Sequence, residues 1–449
     1  MAAAGKLFSG RFQLLKSLNH HSSAKFSTGR HLCAQKSYEL LIVGGGTGGT
    51  VIANKFAPKL GSGKVAVIEP SDTHYYQPMW TLVGGGIKTL EDSSRPTKNV
   101  LPKQCDWIKQ KAASFDPHKC TVTTDNGDEI KYQYLVVAMG IQLNYNKIKG
   151  LPEAFDEDPM LTSNYSTDYV TKTYKALNEF QAGNAIFTFP NTPIKCAGAP
   201  QKIMYLAEER FRQRGVRDKA TVMFNTSLGV IFGVKKYADA LLKVIEKRDI
   251  KVNYKKNLIE VRPGKKEAVF ENLDSTTGLG ETQTVQYSFM HITPPMSAPD
   301  VLRNSPLVDQ SGFVNVNKNT LQHVEFSNVF GIGDCTNVPT SKTAAAISGQ
   351  CGVLRKNLWE VMQGREPEKE YNGYTSCPLI TGYKSCILAE FDFAGNPLET
   401  FPINQGVERR SMFHMKKDVM PQMYWKFLLN GYWEGPDIPR KIMHLGLSQ

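Results

Sequence analysis

Two cysteines stand where a sulfur atom could do chemistry. Cys196 sits in the turn Pro190-Asn191-Thr192-Pro193-Ile194-Lys195-Cys196-Ala197-Gly198-Ala199-Pro200, just ahead of a helix predicted to open at Pro200 with Lys202 in its first turn. The positive end of a helix and a lysine ammonium both favour a thiolate over a thiol. Cys377 lies in Tyr374-Thr375-Ser376-Cys377-Pro378-Leu379-Ile380-Thr381-Gly382, which reads as a polar, proline-bounded loop holding an exposed, reactive thiol. A thiolate and a second accessible sulfur are what thiol–disulfide exchange requires. Taken alone, a single cysteine is more often a buried structural residue, so the rest of the chain has to decide. The eight cysteines (Cys33, Cys105, Cys120, Cys196, Cys335, Cys351, Cys377 and Cys386) lie far apart without C-x-x-C pairs. That spacing suits neither a metal cluster nor a secreted disulfide scaffold.

Electrons taken from sulfur need a carrier, and the N-terminal part supplies a nucleotide site. An apolar run over 38–43 leads into Gly44-Gly45-Gly46-Thr47-Gly48-Gly49 and a helix-like stretch over 50–60. A second strand over 65–68 ends at Glu69, twenty-five residues after Gly44. A glycine turn alone is an ordinary loop; with both strands, the helix and the acid it is the βαβ dinucleotide fingerprint. In that pattern Gly44 permits the tight turn, Gly46 lets the backbone approach a pyrophosphate, and Gly49 lets the helix pack on the strand, with the phosphate at the helix N-terminus. Glu69 is placed to accept hydrogen bonds from a ribose 2′-hydroxyl, which favours FAD or NAD over NADP.

Two further fragments separate FAD from NAD. Residues 134–140 (Y-L-V-V-A-M-G) run a strand into Gly140, and 328–334 (N-V-F-G-I-G-D) end on Asp334 ahead of a helix-like stretch over 340–351. The pair resembles the second and third signatures of flavoproteins with two dinucleotide domains, which implies FAD with Asp334 on its ribityl or pyrophosphate part. The following helix, predicted to begin near Ser341-Lys342-Thr343, would turn its N–H groups and the Lys342 charge toward the flavin pyrimidine edge and stabilise an anionic reduced flavin. A solvated lysine is the plainer reading of Lys342. Strands over 185–189 and 221–225 alternate with helices over 201–214 and 235–247, an inserted second unit of dinucleotide type, and 274–281 reads as a surface loop. Its first turn carries Pro190 and Pro193 where a nicotinamide-using chain needs bare backbone donors, so NADH binding is disfavoured.

The turn K-C-A-G-A-P, the segment Y-T-S-C-P-L-I-T-G-Y and the run F-G-I-G-D-C-T are similar to those of the mitochondrial sulfide:quinone oxidoreductases, and the likeness spans nearly all the chain beyond its leader. The resemblance implies that Cys196 and Cys377 form a disulfide or sulfur-bridged pair beside the flavin. Sulfide would attack Cys377 and leave a persulfide there, releasing Cys196 as a thiolate that passes electrons to FAD. The persulfide sulfur would go to sulfite, glutathione or a second sulfide, and the electrons to ubiquinone. The resemblance also puts Thr47 and Gly48 at the pyrophosphate, Gln77 near the flavin, Ala112 beside the adenine and Lys416 toward the active site. No third cysteine matches a catalytic role, and His74, a lone histidine among aromatics, reads as a packed or surface residue.

Composition sets the surroundings. The 449 residues suffice for two or three domains, and 41% hydrophobic with 21% charged residues is ordinary globular usage. No stretch approaches the roughly 20 apolar residues of a spanning helix. Of the net charge of +12, six positive residues (Lys6, Arg11, Lys16, Lys25, Arg30 and Lys36) precede the first acid, Glu39. That leader reads as a mitochondrial transit segment, with a basic tail as the alternative. The remaining positive charge suits an anionic membrane surface or anionic substrates, and no nucleic-acid module is recognisable. Residues 411–433 interleave Met412, Phe413, Met415, Tyr424, Trp425, Phe427 and Trp433 with Lys416, Lys417 and Lys426, a mix that suits an interfacial helix with a basic rim and equally a core helix. A short amphipathic tail over 438–447 would extend the patch, with Arg440 and Lys441 at lipid headgroups.

The expected architecture is α/β, with two doubly wound dinucleotide-binding-type (Rossmann-like) domains plus a C-terminal amphipathic membrane-facing region. Boundaries are expected at 1–36 for the transit segment, 37–160 and 301–365 for the two parts of the FAD domain, 161–300 for the second domain and 366–449 for the C-terminal region. The expected setting is the mitochondrial inner membrane. Rival readings are an NADH:quinone oxidoreductase of the same fold, which has no need of Cys377, and a non-enzymatic basic flavoprotein that binds partners.

Overall fold

A computed structural model describes residues 36–446. Residues 1–35, which include Cys33 and all but the last residue of the expected transit segment, lie outside the described residues, as do 447–449.

The first sheet is built on apolar runs buried from both faces, the pattern of parallel strands covered by helices. Cys105–Ile108, Val65–Ile68, Lys36–Val43, Glu129–Val137 and Val329–Gly331 lie side by side and parallel. Leu41 is registered against both Ala66 and Leu135, and Val329 against Leu135. On its other edge the first half of Glu129–Val137 pairs antiparallel with Thr121–Thr124, which pairs in turn with Ala112–Asp116. The helix Thr47–Leu60 follows the first strand and buries Val51, Ile52, Ala53 and Phe56. Ala344–Met362 packs against it after the last strand, so both helices present their N-termini where the strands end.

A second, wholly parallel sheet runs Leu161–Thr162, Phe289–His291, Gly183–Phe189, Ala220–Thr226, Lys251–Asn253. Its helix Lys235–Lys247 buries Tyr237, Leu241, Val244 and Ile245, the spacing of one helical face. An antiparallel three-stranded ribbon, Lys256–Arg262, Glu267–Asn272 and Thr282–Gln286, flanks it, and the 274–281 connector is mostly exposed at its edge. Both doubly wound sheets therefore form as the sequence leads one to expect. The helices begin slightly earlier than their apolar runs suggest, at Thr47 and Ala199, because glycines and small residues fill the first turns.

Beyond the helix Ala344–Met362 the chain forms the hairpin Thr375–Gly382 and Ser385–Phe391, which packs on the helix Ala199–Gln213. One helical rod follows, made of Arg410–His414, a π-turn Met415–Val419, Met420–Met423 and a second π-turn Tyr424–Leu428. The final helix is Asp437–Met443. No helix among the described residues is long and apolar enough to cross a membrane.

Candidate active site

The fold brings Cys196 and Cys377 together, 3.6 Å apart at Sγ, both as free thiols. Cys196 occupies the turn after Gly183–Phe189 in the left-handed region, at φ 52°. Its N–H donates to the Lys342 carbonyl at 2.8 Å, and its own carbonyl accepts from Ala199 N–H at 2.8 Å. The turn is thus stitched to the segment that precedes Ala344–Met362, which is how the second sheet delivers its thiol to the first. Gly198 precedes the helix Ala199–Gln213, and a Cβ there would lie 2.6 Å from Cys377 Sγ, so only glycine lets the two sulfurs approach. Lys202, in the first turn of that helix, donates to Cys196 Sγ at 3.2 Å.

Cys377 departs from the expectation of an exposed loop. It is 2% exposed, inside the strand Thr375–Gly382. Pro378 is tolerated there because a two-stranded ladder leaves positions with no N–H to pair. Strand alternation then gives the wall two faces. Ser376 and Pro378, with Glu390 and Leu388 opposite them, line a large cavity, whereas Cys377 and Ala389 point the other way, toward Cys196.

Charge at the pair is unequally shared. The Cys377 hydrogen bond, helped by the ammonium groups of Lys202 and Lys416, holds Cys196 well below the usual thiol range against the opposing effect of burial. Its bond to Cys196, and burial, push Cys377 well above it. Both shifts favour negative charge on Cys196 over Cys377. Burial works against the Lys202 ammonium, yet the two sulfurs outweigh it and keep that lysine charged. Lys416, with burial and Lys202 both against its charge, falls to about 8, and burial takes Lys195 to about 8 as well, with Asp334 opposing.

The cavity, about 750 Å³, is lined by the glycine turn, by Cys196 and by the C-terminal helices. That volume lies within the range of cofactor clefts, roughly 300–1,000 Å³. Gly44 has φ 104°, and a Cβ there would meet the Ala138 carbonyl at 2.4 Å; a Cβ on Gly49 would meet the Gly44 carbonyl at 1.8 Å. Those two glycines close the turn and dock the helix, as expected. Gly46 has open space around it, and Thr47, Gly48 and Gly49 are the first helical residues, whose N–H groups have no intrahelical acceptor. Here is a cradle for a phosphate. Ser376 Oγ, Tyr165 Oη and Asn164 Nδ2 are buried and lack a partner among the described residues, and all three residues line the cavity. A polar ligand fits such a lining.

Most of the expected cofactor residues share this cavity: Gly44, Gly46, Thr47, Gly48, Glu69, Gln77, Gly140, Asp334 and Lys342. Glu69 accepts from the N–H groups of Gly45 at 2.7 Å and Ser71 at 2.8 Å, which orients its carboxylate at the turn. Gln77 accepts from Lys195 Nζ at 2.8 Å. Burial raises the Asp334 carboxyl, with Lys342 and Lys195 pulling it back. Lys342 lines the cavity, where its ammonium donates to the carbonyls of Asp334 at 2.7 Å and Thr336 at 3.0 Å, and the helix that follows opens at Ala344 with Thr343 as its cap. Ala112 begins the antiparallel ribbon, paired with Thr124, and is not part of the cavity lining.

The C-terminal rod is half core and half surface. Met412, Phe413, Lys416, Tyr424 and Leu428 are buried, while Val419, Phe427 and Tyr432 are exposed. Lys416 turns inward and donates to the Pro78 carbonyl at 2.9 Å, as the resemblance implied. Arg440 does not reach outward as expected: it is buried, with its guanidinium 5.2 Å over the Tyr374 ring and paired to Asp437. Ile438, Ile442 and Leu445 cover the outer side instead. His74, read as inert, is buried in the cavity wall and bonded to Tyr424. His74 and Tyr424 carried no sequence signal of a role, since their partners lie in distant segments, and Lys195 and Gly198 stood in the cysteine turn with no role assigned.

Residues 38–179 match the pyridine nucleotide-disulphide oxidoreductase family. The chain is 56% identical over 421 residues to the mitochondrial sulfide:quinone oxidoreductase of Mus musculus, across 94% of this chain and 93% of that one. It is 43% identical over 400 residues to the protein of that name from Dictyostelium discoideum, across 88% and 87% of the two chains. The solved structure of the sulfide:quinone oxidoreductase of Aquifex aeolicus superposes with a TM-score of 0.75 over 92% of this chain and 95% of that one; at 22% identity it speaks for the shared fold. With identity of this extent over nearly the whole chain, it belongs to the sulfide:quinone oxidoreductase family of flavin-dependent pyridine nucleotide-disulphide oxidoreductases.

Proposed function

We propose that this chain oxidises hydrogen sulfide at Cys196 and Cys377 and delivers two electrons through FAD to a quinone, ubiquinone of the mitochondrial inner membrane. The observation that carries the reading is the placement of Cys196 Sγ, 3.6 Å from Cys377 Sγ and 3.2 Å from Lys202 Nζ, in the wall of the cavity that holds the phosphate cradle. The names of the mouse and Dictyostelium relatives support both the activity and the compartment.

With the pair oxidised, HS⁻ attacks Cys377 Sγ, the S–S bond breaks, and its electron pair leaves on Cys196. The thiol of lower pKa is the better leaving group, and Lys202 and Lys416 meet the arriving charge. Cys377 then carries the persulfide. A nucleophile such as sulfite, glutathione or a second sulfide takes the outer sulfur and leaves Cys377 as a thiolate. The two sulfurs re-form their bond as one electron pair departs, which requires them to close by about 1.5 Å from their reduced separation. Bound FAD would supply the two-electron carrier between the thiols and the quinone. Gly46, Thr47 and Gly48 would hold its pyrophosphate, Glu69 its adenosine ribose, and Gly140, Gln77 and Asp334 the flavin half. Lys195, Lys202 and Lys416 line the cavity with positive charge and favour anionic reactants.

On the other face of the hairpin wall, Pro378, Leu388, Phe401, Pro439 and Met443 give the cavity an apolar lobe. Met443 is also exposed, beside Ile438 at 72% and Ile442 at 69% exposure. An apolar patch continuous with an apolar lobe supports docking on a membrane surface and entry of the quinone from the lipid.

The test is an anaerobic absorbance spectrum of the FAD-loaded chain mixed separately with sulfide and with NADH. Bleaching by sulfide alone is expected, and its loss in Cys196→Ser or Cys377→Ser. Bleaching by NADH alone, or unaltered bleaching by sulfide in both variants, defeats the reading.

A further inference from the structure

The C-terminal rod reaches back to the phosphate turn through one buried hydroxyl. Tyr424 Oη lies 2.6 Å from His74 Nε2 and 2.9 Å from Thr47 Oγ1, and His74 Nδ1 lies 3.0 Å from the Gly45 carbonyl. The direction of every bond follows from chemistry. A carbonyl only accepts, so His74 Nδ1 carries the proton. Burial holds the ring neutral, with its pKa down at about 4, so Nε2 is an acceptor. Tyr424 therefore donates to His74, and its oxygen accepts the Thr47 hydroxyl proton. The chain runs Thr47 to Tyr424 to His74 to Gly45, and begins and ends on the phosphate turn.

The local backbone is shaped for this contact. Tyr424 opens the second π-turn of the rod, a local widening that re-aims side chains and occurs often at functional sites. The Tyr76 ring lies against the Tyr424 ring at 4.3 Å, tilted by 33°, and Trp425 stands edge-on to it at 5.0 Å. The residues clasped, Gly45 and Thr47, flank Gly46, the open position of the cradle. With its proton engaged by Tyr424, the Thr47 hydroxyl is fixed, and the free N–H groups of Thr47, Gly48 and Gly49 are held in one arrangement.

We propose that Tyr424, oriented by His74, is a positioning residue of the dinucleotide site, so that the C-terminal rod is part of that site and governs how tightly the flavin dinucleotide is held. The inference rests on the reading of the cavity as an FAD site. It links the surface-facing rod to cofactor retention through a hydrogen-bonded path rather than through general packing.

Titration of the flavin-stripped chain with FAD, followed by flavin fluorescence, tests it. Tyr424→Phe is expected to weaken binding about tenfold, Thr47→Val similarly, and the double variant no more than the weaker single one, because both remove the same link. Binding by Tyr424→Phe within twofold of the unaltered chain, or losses that simply multiply, overturns the proposal. Should Tyr424→Phe fail to fold, hydrogen exchange on the unaltered chain decides: FAD must slow exchange over 415–428 as well as over 44–50, and protection confined to the turn overturns the proposal. Failure of the unaltered chain to take up FAD defeats the reading of the cavity itself, whereas uptake indifferent to Tyr424 defeats the clasp alone.

Discussion

Gly198 has no room for a side chain, because the missing Cβ would press on Cys377 Sγ at 2.6 Å and on Leu379 at 2.5 Å. Gly198→Ala should therefore displace Cys377 from Cys196 and slow flavin reduction by sulfide at least about tenfold, since misplacement by an ångström is costly in a reacting pair. Stopped-flow absorbance checks this, and a variant with normal FAD content and an unaltered rate would contradict it. Lys202 acts on charge instead of shape. Its ammonium stabilises the anionic form of Cys196, so Lys202→Met removes that support and the thiol must ionise at higher pH. Iodoacetamide alkylation of the reduced chain should show its midpoint raised by about one to three pH units; an unmoved midpoint would assign the low pKa to the Cys377 hydrogen bond alone.

The hairpin shows what an element adds to its residues. Because successive side chains on a strand face opposite ways, Thr375–Gly382 presents the Cys377 thiol to Cys196 and Ser376 with Pro378 to the cavity. Filling the lobe with Leu388→Trp should lower quinone reduction about tenfold or more and leave flavin reduction by sulfide intact. Measuring the two half-reactions separately decides the matter; equal loss in both would mean that the wall does not divide them. The last helix, Asp437–Met443, carries its apolar residues outward. Ile438→Asp with Ile442→Asp should weaken sedimentation with anionic liposomes while sulfide still bleaches the flavin, and undiminished liposome binding would move the docking surface elsewhere.

Burial on the scale of the whole molecule has a cost that pH reveals. His74 and His291 are enclosed as neutral rings, with pKa values lowered by burial to about 4 and about 3. An unfolded chain binds a proton at each below about pH 6.5, and the folded chain does not until far lower, so stability falls as pH drops through that window. At pH 5 each ring costs about 2 kcal/mol. Melting temperature should fall between pH 6.5 and 5, and less steeply in His291→Gln, which keeps an acceptor for the Asn164 N–H. An equal slope in that variant would show that His291 is not a contributor.

The sequence by itself determined the sheets and the glycine turn, and a family resemblance singled out the two thiols that the fold brings together. Apolar runs such as 65–68 form strands wherever they are covered, and Gly44 and Gly49 are demanded by backbone contacts that local spacing already encodes. Only the tertiary structure decided the environment of those residues. Pro378 and its polar neighbours look like a loop until the hairpin pairs and the helix Ala199–Gln213 covers it, which buries Cys377. Lys342 looks free until the carbonyls of Asp334 and Thr336 fold around it. Arg440 looks like a headgroup anchor until Tyr374 receives it. His74 and Tyr424, 350 positions apart, share a hydrogen bond that no local pattern announces. Spacing along a chain reports what neighbours in sequence must do, whereas charge state, exposure and hydrogen-bond direction belong to groups that meet only when distant segments pack.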